Sequence, residues 1–192
     1  MSLALQLQWC LRKTRFLCLV AFLGVLSLAS AGVAPASPQT TEHHVKAVFL
    51  YNLARFVSWP GLWMERSEYF TIGIVGNPPF GAIIDQVVTG ERWRGKPMRV
   101  VFYDEAEDIS VRVCDVLYIG ADQLRHFDDI KERLAGLPVL TVADTPGFLA
   151  MGGMVNLVRK QQRIGVGVNL QAVRYSELSI SSKLLRLATI VD

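Results

Sequence analysis

From Val45 to Val57 nearly every position is apolar, and with Ser58 the exceptions are Lys46, Asn52 and Arg55. That spacing predicts a helix covered on more than one side. Thr40-Thr41-Glu42 supplies its cap and Pro60-Gly61 its stop, so it should run to about Ser58. Phe70 to Val75 is a short, almost unbroken apolar run, the mark of a buried strand, and Gly76-Asn77-Pro78-Pro79 turns the chain after it. Phe80, Ile83, Ile84, Val87 and Val88 then recur at helical spacing. Met98 to Tyr103, Val113 to Ile119 and Pro138 to Ala143 read as further strands. Between the last two lies a polar-faced helix from Ala121 to Ala135, closed by Gly136.

Beyond Asp144-Thr145-Pro146-Gly147 the period changes. Met154 to Val158 and Arg163 to Val168 alternate about the polar Arg159 to Gln162, which predicts an antiparallel hairpin. Asn169 to Glu177 and Ser181 to Ile190 are expected as closing helices. Strand–helix alternation followed by a hairpin predicts an α/β fold. It is a three-layer, mostly parallel sheet flanked by helices and extended by a C-terminal antiparallel hairpin.

The start of the chain follows different rules. Arg12, Lys13 and Arg15 precede the apolar and small-residue run Phe16 to Ala29, and Ala29-Ser30-Ala31 places small residues where a signal peptidase cuts. The run is shorter than the roughly 20 residues a helix needs to cross a bilayer core. The expected organisation is a signal peptide over 1–31, a lead-in over 32–41 and one α/β domain over 42–192. Ala34-Pro35-Ala36 is a second possible cleavage site, and an uncleaved anchor is the alternative. Export to the periplasm is the expectation.

Export revises the composition. The formal charge of +3 comes from 20 basic and 17 acidic residues. Arg12, Lys13 and Arg15 account for the excess, so the mature chain is balanced and a nucleic-acid role loses its electrostatic basis. Cys10 and Cys18 leave with the signal peptide. Cys114 remains, either as a buried inert thiol or for an intermolecular disulfide. About 160 residues suffice for one sizeable core.

Catalytic patterns fail one by one. Gly76-Asn77-Pro78-Pro79-Phe80-Gly81 has the outline of a phosphate loop, but Ala82-Ile83 stand where Lys and Ser/Thr are needed, and two prolines remove donors. His43 and His44 are adjacent rather than four apart, so no zinc pair forms on a helix, and His126 sits among polar residues. Ser110, Ser181 and Ser182 lack a nucleophile elbow. Asp104, Asp115 and Asp144 fall at strand ends without an evident partner. No enzyme activity, cofactor or metal is expected.

The family signal lies elsewhere. Lys46 to Pro60 (KAVFLYNLARFVSWP), Ile72 to Gly81 (IGIVGNPPFG), Pro138 to Phe148 (PVLTVADTPGF), Gly152 to Leu157 (GGMVNL), Arg163 to Ala172 and Leu178 to Ala188 (LSISSKLLRLA) occur in order and at a spacing that resembles the YfiR/HmsC-like family over nearly all of the mature chain. The resemblance implies a small periplasmic α/β protein, usually dimeric and without catalytic activity. It implies repression of an inner-membrane diguanylate cyclase through the cyclase's periplasmic sensor domain, which lowers cyclic-di-GMP and biofilm or exopolysaccharide output. An OmpA-like outer-membrane lipoprotein is the implied second partner. The alternative is a periplasmic small-molecule-binding domain that feeds a signalling relay, with an uncharacterised enzyme behind both. Some relatives carry paired cysteines where this chain has Val75, Leu149, Ala150 and Asn156, so intrachain redox control is not expected here.

For the partner surface the expectation is the glycine-flanked apolar loop Phe148, Leu149 and Met151, with Arg163 and Val166 of the hairpin. The competing reading makes Phe148 and Met151 caps on the core. Phe49, Trp59 and Trp63 are the candidates for self-association. Ser181 or Ser182 is expected to cap the last helix.

Overall fold

A computed structural model of the chain describes residues 38–109, 114–160 and 163–191. The expected signal peptide, its cleavage sites, most of the lead-in, Val113 and the Gln161-Gln162 turn lie outside the described residues.

The first helix, α1 (Pro38–Leu53), passes into a 3-10 turn at Ala54–Phe56 and then into a two-residue strand, β1 (Val57–Ser58). The single helix expected to Ser58 therefore ends early. Val57 is extended at φ −117°, ψ 144°, and Val57–Ser58 pair antiparallel with β9 (Ser179–Ile180). This tertiary pairing overrides local helix preference. A short α2 (Gly61–Glu65) follows Pro60.

The main sheet forms from β2 (Phe70–Val75), β3 (Arg92–Trp93), β4 (Lys96–Tyr103), β5 (Val116–Ile119), β6 (Leu140–Ala143), β7 (Val155–Lys160), β8 (Arg163–Asn169) and β10 (Ala188–Val191). Their spatial order is β10-β8-β7-β6-β5-β2-β4-β3. From β4 through β2, β5 and β6 to β7 every neighbour is parallel. The chain starts at β2, crosses to β4, then jumps back over β2 to β5, the winding of an open doubly wound sheet. β2, β5 and β6 are buried at every position, as a strand covered by helices on both faces must be.

Alternation divides the side chains between two cores. Ile72, Ile74, Val116, Tyr118, Leu140 and Val142 meet Leu50 and Leu53 of α1 and Ile84 and Val88 of α3 (Gly81–Val88). Val75, Leu117, Ile119 and Ala143 meet Phe127, Ile130 and Leu134 of α4 (Phe127–Leu134) on the other face. The helix expected over Ala121–Ala135 is a 3-10 segment, Ala121–His126, followed by α4.

The hairpin is antiparallel as expected, with Val155 opposite Val168 and Lys160 opposite Arg163. The end of the chain differs from expectation. After α5 (Leu170–Tyr175), helix persists only in α6 (Ser182–Leu185), and Ala188–Val191 is a strand rather than the rest of a helix. Thr189-Ile190-Val191 are β-branched in succession and stiff at χ1, which favours extended backbone. β10 lies outside β8 and parallel to it, so the hairpin is not the sheet's last element. Ser181 stands at the α6 N-cap without a side-chain capping bond.

Candidate partner-binding surface

Between β6 and β7 the chain makes a compact coil from Thr145 to Gly153 that leans on the far ends of β7 and β8. It is tied by its own backbone: Met151 N–H donates to Gly147 C=O, Gly152 N–H to Leu149 C=O and Gly153 N–H to Phe148 C=O. The fixed point is Phe148, fully buried with its ring 4.8 Å from that of Phe127. Gly153 must lack a Cβ here, because one would collide with the Phe148 ring. Gly167 of β8 does the same for Leu149, whose Cδ1 would lie 2.7 Å from any Cβ at that position.

Four side chains outside the coil hold it, or the residue that follows it, in place. Lys131 of α4 donates to Met151 C=O at 2.9 Å. Asn156 donates to Thr145 C=O at 2.9 Å, and Thr141 Oγ1 accepts from Met154 N–H at 3.1 Å. Asn169 acts twice: its Nδ2 donates to Leu149 C=O, and its Oδ1 accepts from Ala172 N–H as the N-cap of α5. The coil and the start of α5 thus share one residue. With so many of its groups satisfied internally, the coil is preorganised rather than floppy.

Next to it lies a cavity of about 360 Å³, lined among others by Lys131, Thr141, Gly152, Met154, Asn169 and Tyr175. The Tyr175 side chain is 79% exposed and Met151, next to Gly152, is 40% exposed. Two large apolar side chains therefore face solvent beside a concave site.

The expected partner residues separate on this geometry. Met151 is exposed, Leu149 is half-buried over Gly167, and Arg163 is exposed at the hairpin tip. Phe148 is interior: it shapes the surface and cannot be touched from outside. Val166 is also buried, and it belongs to the core on the α1 side of the sheet, opposite the face that Leu149 covers. Arg163 stands four residues from Gly167, about 13 Å along the strand, so the five do not form one patch. Tyr175, Lys131 and Asn169 were not singled out from sequence. The readable signal was Tyr175 itself, an aromatic at the end of a short helix whose buried position is Val173.

The self-association candidates are mostly interior too. Trp59 is buried, donates to Asp115 C=O and sits edge-on to Phe70 and Trp93. Trp63 is half-buried; its indole donates to Asp115 Oδ1 and carries the Arg66 guanidinium 3.6 Å above its ring. Phe49 is half-buried against the core.

The three strand-end aspartates separate as well. Asp115, before β5, is fully buried and accepts from Thr71 N–H at 2.7 Å, Arg66 at 3.0 Å and Trp63. Burial raises its pKa, opposed by the Thr71 N–H and Arg66. Asp144, after β6, accepts from Tyr118 Oη at 2.6 Å and from Lys46 Nζ at 2.7 Å. Burial and the adjacent Asp144 charge drive the Tyr118 phenol upward, so it stays a donor. Burial alone would lower Lys46, but Asp144 and Glu42 outweigh it and hold the ammonium charged. These groups are paired with one another and perform a structural task. Asp104 is exposed. Among the described residues no group of three His, Cys, Asp or Glu side chains converges as a metal site.

A family model described as YfiR/HmsC-like matches residues 43–189. The chain belongs to the YfiR/HmsC-like family. That family is periplasmic and regulatory rather than catalytic, and it acts in diguanylate cyclase signalling through a protein partner. No curated protein sequence matches this YfiR/HmsC-like chain. Two solved structures share its fold at a TM-score of 0.52 and 10% identity: a Streptococcus pneumonia ABC domain in complex with L-Trp, and a conserved domain protein from Vibrio cholerae O1 biovar El Tor. Each likeness covers 78% of this chain and 60% of the other, so the chain spans less than two thirds of their length. Among its described residues no helix is long and apolar enough to cross a membrane.

Proposed function

We propose that this protein is exported to the periplasm, binds the periplasmic sensor domain of an inner-membrane diguanylate cyclase and holds that cyclase in its low-output state. Cyclic-di-GMP and biofilm or exopolysaccharide output fall as a result, and an OmpA-like outer-membrane lipoprotein relieves the restraint by sequestering the repressor. The observation that carries the reading is the pair of exposed apolar side chains, Met151 and Tyr175, on a hydrogen-bonded platform in a chain of this family. Large exposed apolar residues with a fixed backbone are what a protein interface uses as anchors. Repression needs differential affinity: the surface must fit the inactive arrangement of the sensor better than the active one, or binding shifts nothing.

Deleting the gene should raise cyclic-di-GMP, and the tagged protein should retain a cyclase with a periplasmic sensor domain. Met151→Asp should lose that retention while the protein stays folded. Unchanged cyclic-di-GMP on deletion, with no cyclase retained, defeats the reading.

The cavity favours a second reading, a small ligand feeding a signalling relay, since about 360 Å³ lies within the usual range for such sites. A metabolite that raises the melting temperature, and whose effect is lost in Lys131→Met, would support it.

A further inference from the structure

β4 is the last long strand on its side of the sheet, and among the described residues no strand pairs with half of its outer edge. β3 covers only the beginning, Arg92 pairing with Pro97 and Trp93 with Lys96. Met98 N–H then donates to Glu91 C=O at 2.9 Å, so the backbone groups of Met98 face outward. Alternation turns those of Val100 and Phe102 the same way. Tyr103 confirms the phase: its C=O faces inward and accepts from Gly76 N–H at 3.0 Å. Among the described residues no strand pairs with β4 beyond Lys96–Pro97 on this side.

Edges are normally blunted by proline, by charge or by a cover. β3 does this for the first half of β4. The second half has no such device. Arg99, its one charge, is drawn off the edge to Thr71 Oγ1 at 3.0 Å and over the Tyr69 ring at 4.7 Å. Phe102 is 49% exposed, and half-buried Val100 and Ile83 adjoin the core.

The charges beside this edge are of opposite sign at its two ends. Arg92 and Arg94 are exposed at the β3 turn, and Asp104 and Glu105 are exposed where β4 finishes. Glu91, the acid at the basic end, is engaged by the Tyr51 hydroxyl at 2.6 Å. An antiparallel strand of the same sequence brings each acidic end against the other copy's basic end.

We infer that the β4 edge is a self-association surface, where a second copy of this chain adds its own β4 antiparallel across a twofold axis, with Val100 of each copy opposite Phe102 of the other. The backbone groups of Val100 and Phe102 make the ladder, the half-exposed phenylalanines cover one another, and the two charge contacts set the direction. The inference does not rest on the regulatory reading, because it concerns the purified protein alone. It places the contact at an edge the sequence did not single out, apart from the expected Phe49, Trp59 and Trp63.

Sedimentation of the purified protein across a concentration series tests it. The native protein should be dimeric in the micromolar range. Asp104→Lys with Glu105→Lys, and separately Arg92→Glu with Arg94→Glu, place like charges at both contacts and should each weaken the dimer about tenfold or more. An equimolar mixture of the two variants should restore association to within about threefold of native. Phe102→Lys should also dissociate the dimer while leaving the circular dichroism and melting temperature unchanged. A native protein that stays monomeric throughout overturns the inference, as does a dimer whose affinity ignores all three variants. So does a monomer whose Phe102→Lys variant loses retention of a cyclase sensor domain, because the edge then takes an extended partner segment instead of a second copy.

Discussion

Lys46, on the first helix, donates a 2.7 Å hydrogen bond to Asp144, at the end of β6, across a sequence separation of 98 residues. The same ammonium meets Glu42 at 2.8 Å, and Glu42 in turn meets Arg159 of β7 at 2.5 Å. α1 is thereby pinned over the carboxyl ends of β6 and β7, the region from which the candidate surface starts. Replacing Lys46 by Met leaves Asp144, still held by the neutral Tyr118 hydroxyl, without its countercharge in a mostly buried place. The expected loss is about 2–3 kcal/mol, below the fully buried case because Asp144 retains some solvent. Urea unfolding of Lys46→Met measures it. Lys46→Met combined with Asp144→Leu should recover part of that loss, since removing both partners removes the stranded charge.

A second pin lies at the opposite end of the sheet. Asp115 collects the Thr71 amide, the Trp63 indole and Arg66, while Arg66 also donates to Cys114 C=O and Trp63 C=O. This one carboxylate fastens α2 to β2 and β5. Asp115→Ala should cost about 3–4 kcal/mol, because it strands a partly buried guanidinium and a buried amide. Trp63 fluorescence should shift to the red as α2 loosens, and an unchanged unfolding midpoint would contradict the assignment.

Phe148 and Met151 are three residues apart and should behave as opposites. Phe148→Ala empties a fully buried site against Phe127 and should lower stability by about 3–4 kcal/mol. Met151→Asp changes an exposed side chain and should leave stability within about 0.5 kcal/mol, yet abolish partner retention. Thermal unfolding beside a pull-down separates the two effects. If Met151→Asp binds normally, the surface lies elsewhere on the molecule.

The sequence read best where local pattern and tertiary environment agree. Phe70–Val75 was legible from end to end because a strand buried on both faces needs nothing but apolar residues. The last strand was not: Ser181 to Ile190 has helical spacing, and the β-branched run Thr189-Ile190-Val191 becomes a strand where it pairs with β8. The apolar coil was visible as a motif, and Met151 faces solvent as a surface loop requires, but Phe148 turns inward, as the competing reading had it. Flanking glycines left Phe148 open between surface and core, and the decisive contact is long-range in the loop: Gly153 lacks a Cβ where the ring sits. Lys46 read as a polar interruption of an apolar helix. Its meaning depends on Asp144, a partner no local window contains.

Cys114 gives the clearest pH prediction. The thiol is fully buried, and burial pushes its pKa up to about 11 from an ordinary 9.0. A thiol whose folded pKa is raised favours the folded state fully below the unfolded value. The unfolded chain releases its proton first, so that stability is lost as pH rises from about 9 and levels off once the folded pKa is passed. The slope contributed by this one group is at most about 1.4 kcal/mol per pH unit. Lysine and tyrosine titrations overlap the window, so the informative quantity is a difference. Urea midpoints of the native protein and Cys114→Ala, followed from pH 8 to 11, should show the native protein losing stability more steeply above pH 9. Parallel curves would mean that the thiol is accessible and titrates in the folded state. Reaction with a thiol-specific reagent at pH 8 gives an independent check: labelling should be undetectable until denaturant unfolds the chain.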